Sequence, residues 1–152
     1  MNTDALCKDL QSVWDQSFPL SRAMGLTVVS FENHLLTTQA PLALNTNIHG
    51  SAFAGSLYAI EAMTAWGALY LELKCAELDA SLIHAHGEIN FAHTINEDIR
   101  ATADFSKLLG HIEELTSTGK TRLTIDTEVH AADRIASQFT GDYLARLRRT
   151  DQ

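Results

Sequence analysis

Two kinds of hydrophobic pattern follow one another in the first forty residues. Between Thr3 and Ser17, apolar residues recur three or four positions apart, at Leu6, Leu10, Val13 and Trp14. This spacing predicts an amphipathic helix that stops before Pro19, with a short turn over residues 19–25. Apolar and β-branched residues then fill segments 26–31 and 35–40, and three polar, turn-prone residues separate the two segments. These segments predict an antiparallel hairpin.

The longest apolar segment of the chain covers residues 52–71 and contains a single carboxylate, Glu61. Its length makes a membrane span worth considering. A charge in the middle of a span costs about 2.5–3.5 kcal/mol on insertion scales, and several small or polar side chains dilute the segment further: Gly55, Ser56, Tyr58, Thr64 and Gly67. We therefore predict no membrane span but a long buried helix of about residues 51–73.

From residue 82 onward the pattern changes to a period of two. Polar and apolar side chains alternate in residues 99–106 and 122–129, and they alternate less strictly in residues 135–147. This alternation predicts antiparallel strands with one solvated and one covered face. A helix that is apolar on nearly every side must be covered almost all round. The order of elements therefore predicts an α+β fold, a single domain of residues 1–152 in which an antiparallel sheet wraps around one long central helix.

The net charge and the two cysteines indicate which partners the protein could bind and in which compartment we expect it. A formal net charge of −8 in 152 residues disfavours binding to nucleic acid. The basic cluster formed by Arg146, Arg148 and Arg149 is expected to be a solvated tail. Cys7 and Cys75 are far apart in the sequence, and the polar start does not resemble a signal peptide. We expect a cytoplasmic protein with reduced thiols.

One segment of the sequence resembles a known family. Residues 45–58 read Asn-Thr-Asn-Ile-His-Gly-Ser-Ala-Phe-Ala-Gly-Ser-Leu-Tyr, and Trp66-Gly67 follows on the same predicted helix. This run resembles the signature of a hotdog-fold thioesterase family that also occurs as the C-terminal domain of YiiD-type acetyltransferases. Residues 135–145, with Phe-Thr-Gly-Asp-Tyr, are similar to the closing strand of many hotdog proteins. The chain has no acetyltransferase domain, so the resemblance implies the stand-alone form.

The resemblance implies a substrate class and a set of reactions. Related hotdog enzymes hydrolyse acyl-CoA or acyl-ACP thioesters, and members of this family are also associated with malonyl-ACP decarboxylation at the start of fatty-acid synthesis. No cofactor is implied, because the substrate itself carries coenzyme A or the phosphopantetheine of acyl carrier protein, which is then a possible partner. Three hypotheses stay open: a thioesterase, a malonyl-thioester decarboxylase that needs no general base, and a thioester-binding module without turnover.

The predicted start of the long helix supports the same chemistry on physical grounds. A helix N-terminus presents unpaired N–H groups and a partial positive charge, which suit an oxygen that becomes negative during a reaction. Gly50 and Gly55 have no Cβ that would obstruct a substrate carbonyl. Hydrolysis and decarboxylation both place negative charge on the thioester oxygen, as a tetrahedral adduct or as an enolate. The same oxyanion hole could serve either reaction.

Candidate residues for this site follow from the segment. The catalytic candidates are Asn45, His49 and Glu61, and the substrate-binding candidates are Asn47, Gly50, Ser51, Phe53, Gly55, Ser56 and Tyr58. The alternative for Asn45, Asn47 and His49 is a role in capping or in the turn. Glu61 is either satisfied by a partner, exposed at a dimer seam, or used as a general base.

Two further expectations concern metals and assembly. His84 and His86 are expected on one face of a strand, with His93 near its end. Without a cysteine partner or a helical pair of histidines they do not predict a metal site. An open sheet edge and the usual two-chain hotdog site predict a homodimer or a dimer of dimers, with residues 45–55 near the subunit boundary.

Overall fold

The computed structural model describes residues 2–149. Its helices are α1 (Thr3–Ser17), α2 (Pro19–Ala23), α3 (Ala54–Cys75) and α4 (Leu109–Thr118), with a 3-10 turn at Leu42–Leu44. Its strands are β1 (Thr27–Glu32), β2 (Leu35–Ala40), β3 (Ala80–Phe91), β4 (Ile99–Asp104), β5 (Lys120–Ala131) and β6 (Arg134–Leu147).

A six-stranded antiparallel sheet in the order β1-β2-β4-β5-β6-β3 surrounds the long helix α3. α3 contacts β2, β3, β4, β5 and β6, which explains why it is apolar on most of its surface. This arrangement confirms the predicted hotdog fold. Of the helices within residues 2–149, none is both long and apolar enough to cross a bilayer.

The N-terminal helix α1 has the predicted bounds and covers α3 from outside the sheet. Asn2 caps it by accepting a hydrogen bond from the Ala5 amide at 2.8 Å, and Leu6, Leu10 and Trp14 are buried. A Cβ on Gly67 of α3 would lie 2.8 Å from the Trp14 ring and 3.0 Å from both Leu10 and Leu36. The glycine therefore lets α1 and β2 approach α3 closely.

Three elements differ from the predictions. Residues 19–23 form the short helix α2 rather than part of a turn, because Pro19 at the first helical position suits a helix start. Helix α4 was not expected between β4 and β5, and it ends at Gly119, whose φ of +82° allows a left-handed cap. Helix α3 begins at Ala54 rather than at Ser51.

A β-bulge in β3 corrects the expectation that His84 and His86 share one face. The pairing of β3 with β6 shifts between these two histidines, which adds a residue and reverses the alternation. The His84 ring stacks on the buried Tyr143 at 4.7 Å between centroids, on the side of α3. The His86 Nε2 lies 3.4 Å from Glu88 Oε1 on the opposite face.

The sheet is open, with β1 and β3 as its two edge strands. Strand β3 is 12 residues long and pairs with β6 on one side only. Its Ile83 and Phe91 are exposed. The free edge of β3 is therefore a long surface on which backbone groups can pair with another strand.

Candidate functional site

The loop of residues 45–53 is an ordered turn that enters α3 in an extended conformation. The Phe53 amide donates to the Asn45 carbonyl at 2.7 Å, and the Ala52 amide donates to the Ile95 carbonyl at 2.8 Å. The second bond ties the loop to the segment that follows β3. These two bonds hold residues 52 and 53 extended, so the helix starts only at Ala54.

The Asn45 side chain is hydrogen-bonded within the protein, to two backbone carbonyls. Its side chain is buried, with 2% of its surface exposed, and its Nδ2 donates to the Met24 carbonyl at 2.9 Å and to the Pro41 carbonyl at 2.8 Å. Both hydrogens of the amide are thereby used. The geometry does not favour the expectation that Asn45 donates a hydrogen bond to a substrate oxyanion.

Asn47 organises the turn that carries His49 and Gly50. Its Oδ1 accepts from the amides of His49 at 2.8 Å and Ser51 at 3.2 Å, and its Nδ2 donates to Ser51 Oγ at 2.9 Å. Gly50 has a φ of +77°, which favours glycine. The turn leaves the His49 side chain exposed. Gly50 therefore serves the turn, four residues ahead of the helix start.

The N-terminus of α3 has no side-chain cap and is open to solvent. The first helical amide with a backbone partner is that of Leu57, which donates to the Phe53 carbonyl at 3.0 Å. The amides of Ala54, Gly55 and Ser56 have no acceptor within residues 2–149. Ala54 and Gly55 are exposed. Three N–H groups at the positive end of a 22-residue helix are therefore free to bind an oxyanion.

Phe53 and Gly55 form a close pair at this helix end. A Cβ on Gly55 would lie 2.5 Å and 2.7 Å from two atoms of the Phe53 ring, so the missing side chain makes room for the aromatic ring. Phe53 remains 52% exposed. An apolar surface therefore lies directly beside the free amides, next to the half-buried Ser56.

A cavity of about 270 Å³ adjoins the start of α3. It lies between the loop, the first helical turn and the segment after β3, and its lining includes Asn47, Ser51, Ala54, Leu57, Phe91 and His93. His93 is the one titratable residue of this lining. The sequence singled out His93 only as a possible metal ligand. No local pattern could assign it to this site, because the hydrogen bond between Ala52 and Ile95 joins segments forty residues apart.

Glu61 is fully buried between α3 and β6, away from the lining of this cavity. Ser137 Oγ donates to its Oε2 at 2.6 Å, whereas its Oε1 is buried without a partner among the described residues. Burial raises the pKa of Glu61 to about 8, and the hydrogen bond from Ser137 lowers it only in part. Of the three expectations for Glu61, the geometry favours a carboxyl that is neutral at pH 7 and held by a partner.

Tyr58 belongs to an aromatic cluster on the sheet rather than to the loop. Its ring meets the Phe139 ring edge-on at 5.2 Å between centroids. Its hydroxyl lies so close to Gly87 that a Cβ there would collide with it. The structure thus brings Asn47, Gly50, Ser51, Phe53, Gly55 and Ser56 together around one helix end. The side chains of Asn45, Tyr58 and Glu61 make their contacts elsewhere, although the Asn45 carbonyl accepts from the Phe53 amide.

A larger cleft of about 760 Å³ lies at the opposite end of α3. It is bounded by the end of α1, the second half of α3 and the start of β3. The rings of Trp66 and Tyr70 stack along one side, 5.3 Å apart, and the Phe18 ring meets Trp66 edge-on. This aromatic wall could accommodate the apolar part of a ligand.

Comparisons with known proteins agree with this fold. The family model described as "Putative thioesterase (yiiD_Cterm)" matches residues 7–147. A putative thioesterase from Shewanella oneidensis is similar at 25% identity and a TM-score of 0.83, over 94% of this chain and 98% of the other. A protein of unknown function from Chlorobaculum tepidum is similar at 24% identity and a TM-score of 0.87, over 95% and 96% of the two chains. A Haemophilus influenzae thioesterase shares the fold at 11% identity and a TM-score of 0.71, over 96% and 94%.

Proposed function

Because the chain belongs to the family of YiiD C-terminal thioesterases, we propose that it is an enzyme that acts on acyl thioesters of coenzyme A or acyl carrier protein. The observation that carries the proposal is the exposed, uncapped start of α3, where three amides are free and the first of them belongs to Ala54, which lines the cavity. Those amides would bind the thioester oxygen as it becomes negative. The donors in this proposal are backbone groups of residues 54–56 rather than the Asn45 side chain.

In the hydrolytic reaction, a water held in the cavity attacks the thioester carbonyl carbon. His93 is the base that the geometry favours, because histidine exchanges protons near neutral pH and no other titratable residue lines the cavity. His93 takes a proton from the attacking water, and the carbonyl oxygen becomes the oxyanion at the helix end. The tetrahedral adduct then expels the thiolate, which receives that proton, and a carboxylic acid is released.

One observation favours decarboxylation of a malonyl thioester as the second candidate. The cavity lining contains no carboxylate, and Glu61 is buried elsewhere. Loss of carbon dioxide leaves its electron pair on the α-carbon as an enolate, whose oxygen the same amides would bind, and a proton from solvent completes the acetyl thioester. That reaction needs no general base, and a lining without carboxylates does not repel the substrate's own carboxylate.

The proposed active form is a dimer joined through the free edges of β3. The exposed Ile83 and Phe91 lie on this strand, and Phe91 also lines the cavity. Antiparallel pairing of two such edges would continue the sheet across both chains. The site would then lie at the subunit boundary, as the sequence predicts. The cytoplasmic location and a carrier-protein partner stay predictions.

Product analysis separates the two reactions. The protein is incubated with acyl-CoA, acyl-ACP and malonyl-ACP, and mass spectrometry distinguishes free thiol from acetyl thioester. His93→Gln should lower hydrolysis by about 10²–10⁴-fold and leave decarboxylation largely intact. His130→Gln is the matched control, since His130 is an exposed residue of β5 outside the cavity lining, with its Nε2 3.7 Å from Glu128 Oε2. Absence of turnover on every substrate would contradict the proposal and leave a binding module.

A further inference from the structure

A groove of about 620 Å³ crosses the face of the sheet that points away from α3. We call it the outer groove and define it by two cross-strand rows. Lys120, Arg146 and Ser81 are paired neighbours on β5, β6 and β3, and the next row contains Arg122, Leu144 and Ile83. The end of α4 borders the groove with Glu114 and Thr118.

The charges of the outer groove contrast with those of the whole chain. Lys120 and Arg146 lie directly opposite each other on adjacent strands, and neither forms an ion pair within residues 2–149. Arg122 contributes a third positive charge, which Asp142 pairs at 3.0 Å. Like charges in direct cross-strand opposition are destabilising. In a chain of net charge −8, two adjacent cations without an ion pair in the described part of the chain are therefore not explained by stability.

The lining of this groove suits a phosphorylated small molecule that also has an apolar part. The volume lies within the range of small-ligand sites, roughly 300–1,000 Å³. Lys120 and Arg146 supply charged donors for phosphate oxygens, and the Ser81 hydroxyl lies in the same row. Ile83, 56% exposed, and Leu144 form an apolar floor beside them.

We infer that the outer groove binds the phosphorylated nucleotide end of a coenzyme A thioester. The inference rests on the proposed function for the substrate class, and it adds where the nucleotide is held. It also revises the expectation that the basic residues at the end of the chain are merely a solvated tail, because Arg146 lies within β6 and faces this groove.

The position of the groove fits a site shared by two chains. Ser81 lies at the start of β3 and Phe91 at its end, about 33 Å apart at the usual rise of a strand. The groove and the cavity at the α3 N-terminus are thus at opposite ends of one β3. Antiparallel pairing of two β3 edges would place the groove of one protomer at the same end of the joined sheet as the α3 N-terminus of its partner, but on the opposite face, so a coenzyme A thioester would have to pass around the end of the sheet to occupy both.

Calorimetric titration with adenosine 3′,5′-bisphosphate tests the site on the full-length protein. The Lys120→Ala/Arg146→Ala variant should bind the nucleotide about tenfold or more weakly than the wild type. Arg100→Ala is the control, because Arg100 is an exposed residue of β4 outside the groove lining, and it should bind normally. Equal affinity of all three proteins, or no binding by the wild type, overturns the inference. So does inorganic phosphate that binds as tightly as the nucleotide.

A stability readout distinguishes a binding role from a structural one. Removing Lys120 relieves the repulsion with Arg146, so Lys120→Ala should raise the Tm by about 1–3 °C while it weakens nucleotide binding. A structural role would lower both. A variant that loses stability together with affinity therefore counts against the inference.

Kinetics with different substrates show which part of the substrate the outer groove contacts. The double variant should show a higher KM for an acyl-CoA, an unchanged kcat, and unchanged kinetics with the matching acyl-pantetheine, which lacks the nucleotide. If only acyl-ACP turnover suffers, the groove docks an acidic protein and the inference is wrong. If the wild type turns over no thioester, the proposed function fails, while the calorimetric comparison still decides the nucleotide site.

Discussion

At the scale of single residues, burial and hydrogen bonding favour one of the roles that the sequence leaves open. The sequence places one carboxylate, Glu61, in the apolar segment 52–71, but the pattern of that segment cannot distinguish a catalytic base from a buried carboxyl held by a partner. The structure gives Glu61 a hydrogen bond from Ser137 on β6, a strand that lies seventy residues away in the sequence. For Asn45, the hydrogen bonds to the carbonyls of residues 24 and 41 favour the structural alternative.

The raised pKa of Glu61 predicts how stability depends on pH. In the unfolded protein the pKa of Glu61 is about 4.3. Below that pH, Glu61 is protonated in both the folded and the unfolded state, and its stabilising contribution to the fold is fully present. As pH rises from there to about 8, the folded state keeps a proton that the unfolded state loses, so stability falls by up to about 1.4 kcal/mol per pH unit. Glu61→Gln cannot ionise. The unfolding free energy of Glu61→Gln, relative to that of the wild type, should therefore increase from pH 5 to pH 8.

Urea denaturation of both proteins at several pH values measures this difference. The same variant should keep most of its turnover, because Glu61 lies outside the cavity lining. Parallel stability curves for the two proteins would contradict the pKa argument. Loss of hydrolysis with decarboxylation intact would restore Glu61 as the base.

Asn45→Ala separates a structural amide from a catalytic one. The change leaves the carbonyls of Met24 and Pro41 without their donor in a buried position, so we expect a loss of about 1–3 kcal/mol in unfolding free energy. Turnover should fall only as far as the loop loses its order. Thermal denaturation and kcat are measured on the same preparation. Unchanged stability with a hundredfold lower kcat would make Asn45 an oxyanion donor after all.

At the scale of elements, periodicity predicts those whose stability is visible in one stretch of sequence. Helix α1, the β1–β2 hairpin and the alternating strands are of this kind. Helix α4 is not, because ten residues are too few to form a stable helix without tertiary packing, here that of the buried Leu115. The bulge between His84 and His86 likewise depends on pairing with β6. The start of α3 was predicted too early because bonds to Asn45 and Ile95 keep residues 52–53 extended.

The contact between α1 and α3 can be tested at Gly67. A methyl group there meets the Trp14 ring at 2.8 Å and two leucines at 3.0 Å, so Gly67→Ala should destabilise the protein by about 1–3 kcal/mol. Gly110→Ala is the matched control in α4, where nothing lies within 4 Å of the added carbon. It should be stabilising by about 0.5–1 kcal/mol through helix propensity. Two changes of the same sign in thermal denaturation would contradict this packing.

At the scale of the whole molecule, the site combines segments that only the complete fold brings together. The sequence predicts the half formed by residues 45–58, because a recognisable segment carries it. The other half, the segment of Phe91 to Ile95 with His93, carries no local signature. A surface shared between two chains is harder still to predict from the sequence, because it depends on how two folded chains pair. The open edge of β3 and its exposed apolar residues are what the monomer shows of it.

The assembly predicted from that edge can be tested by one pair of variants. Sedimentation velocity of the wild type at micromolar concentration should give a mass well above the 16.7 kDa of one chain. Ile83→Glu places a charge at an exposed position of β3, the strand with the free edge. Because desolvating this charge in an interface is costly, the variant should shift to monomer. Val29→Glu makes the same change at a residue of the other edge strand that is 42% exposed, and it should leave the assembly intact.

A wild type that sediments as a monomer contradicts the shared site, and dissociation of Val29→Glu alone would move the interface to β1. If Ile83→Glu loses hydrolysis of acyl-pantetheine together with its dimer, the chemistry itself requires two chains.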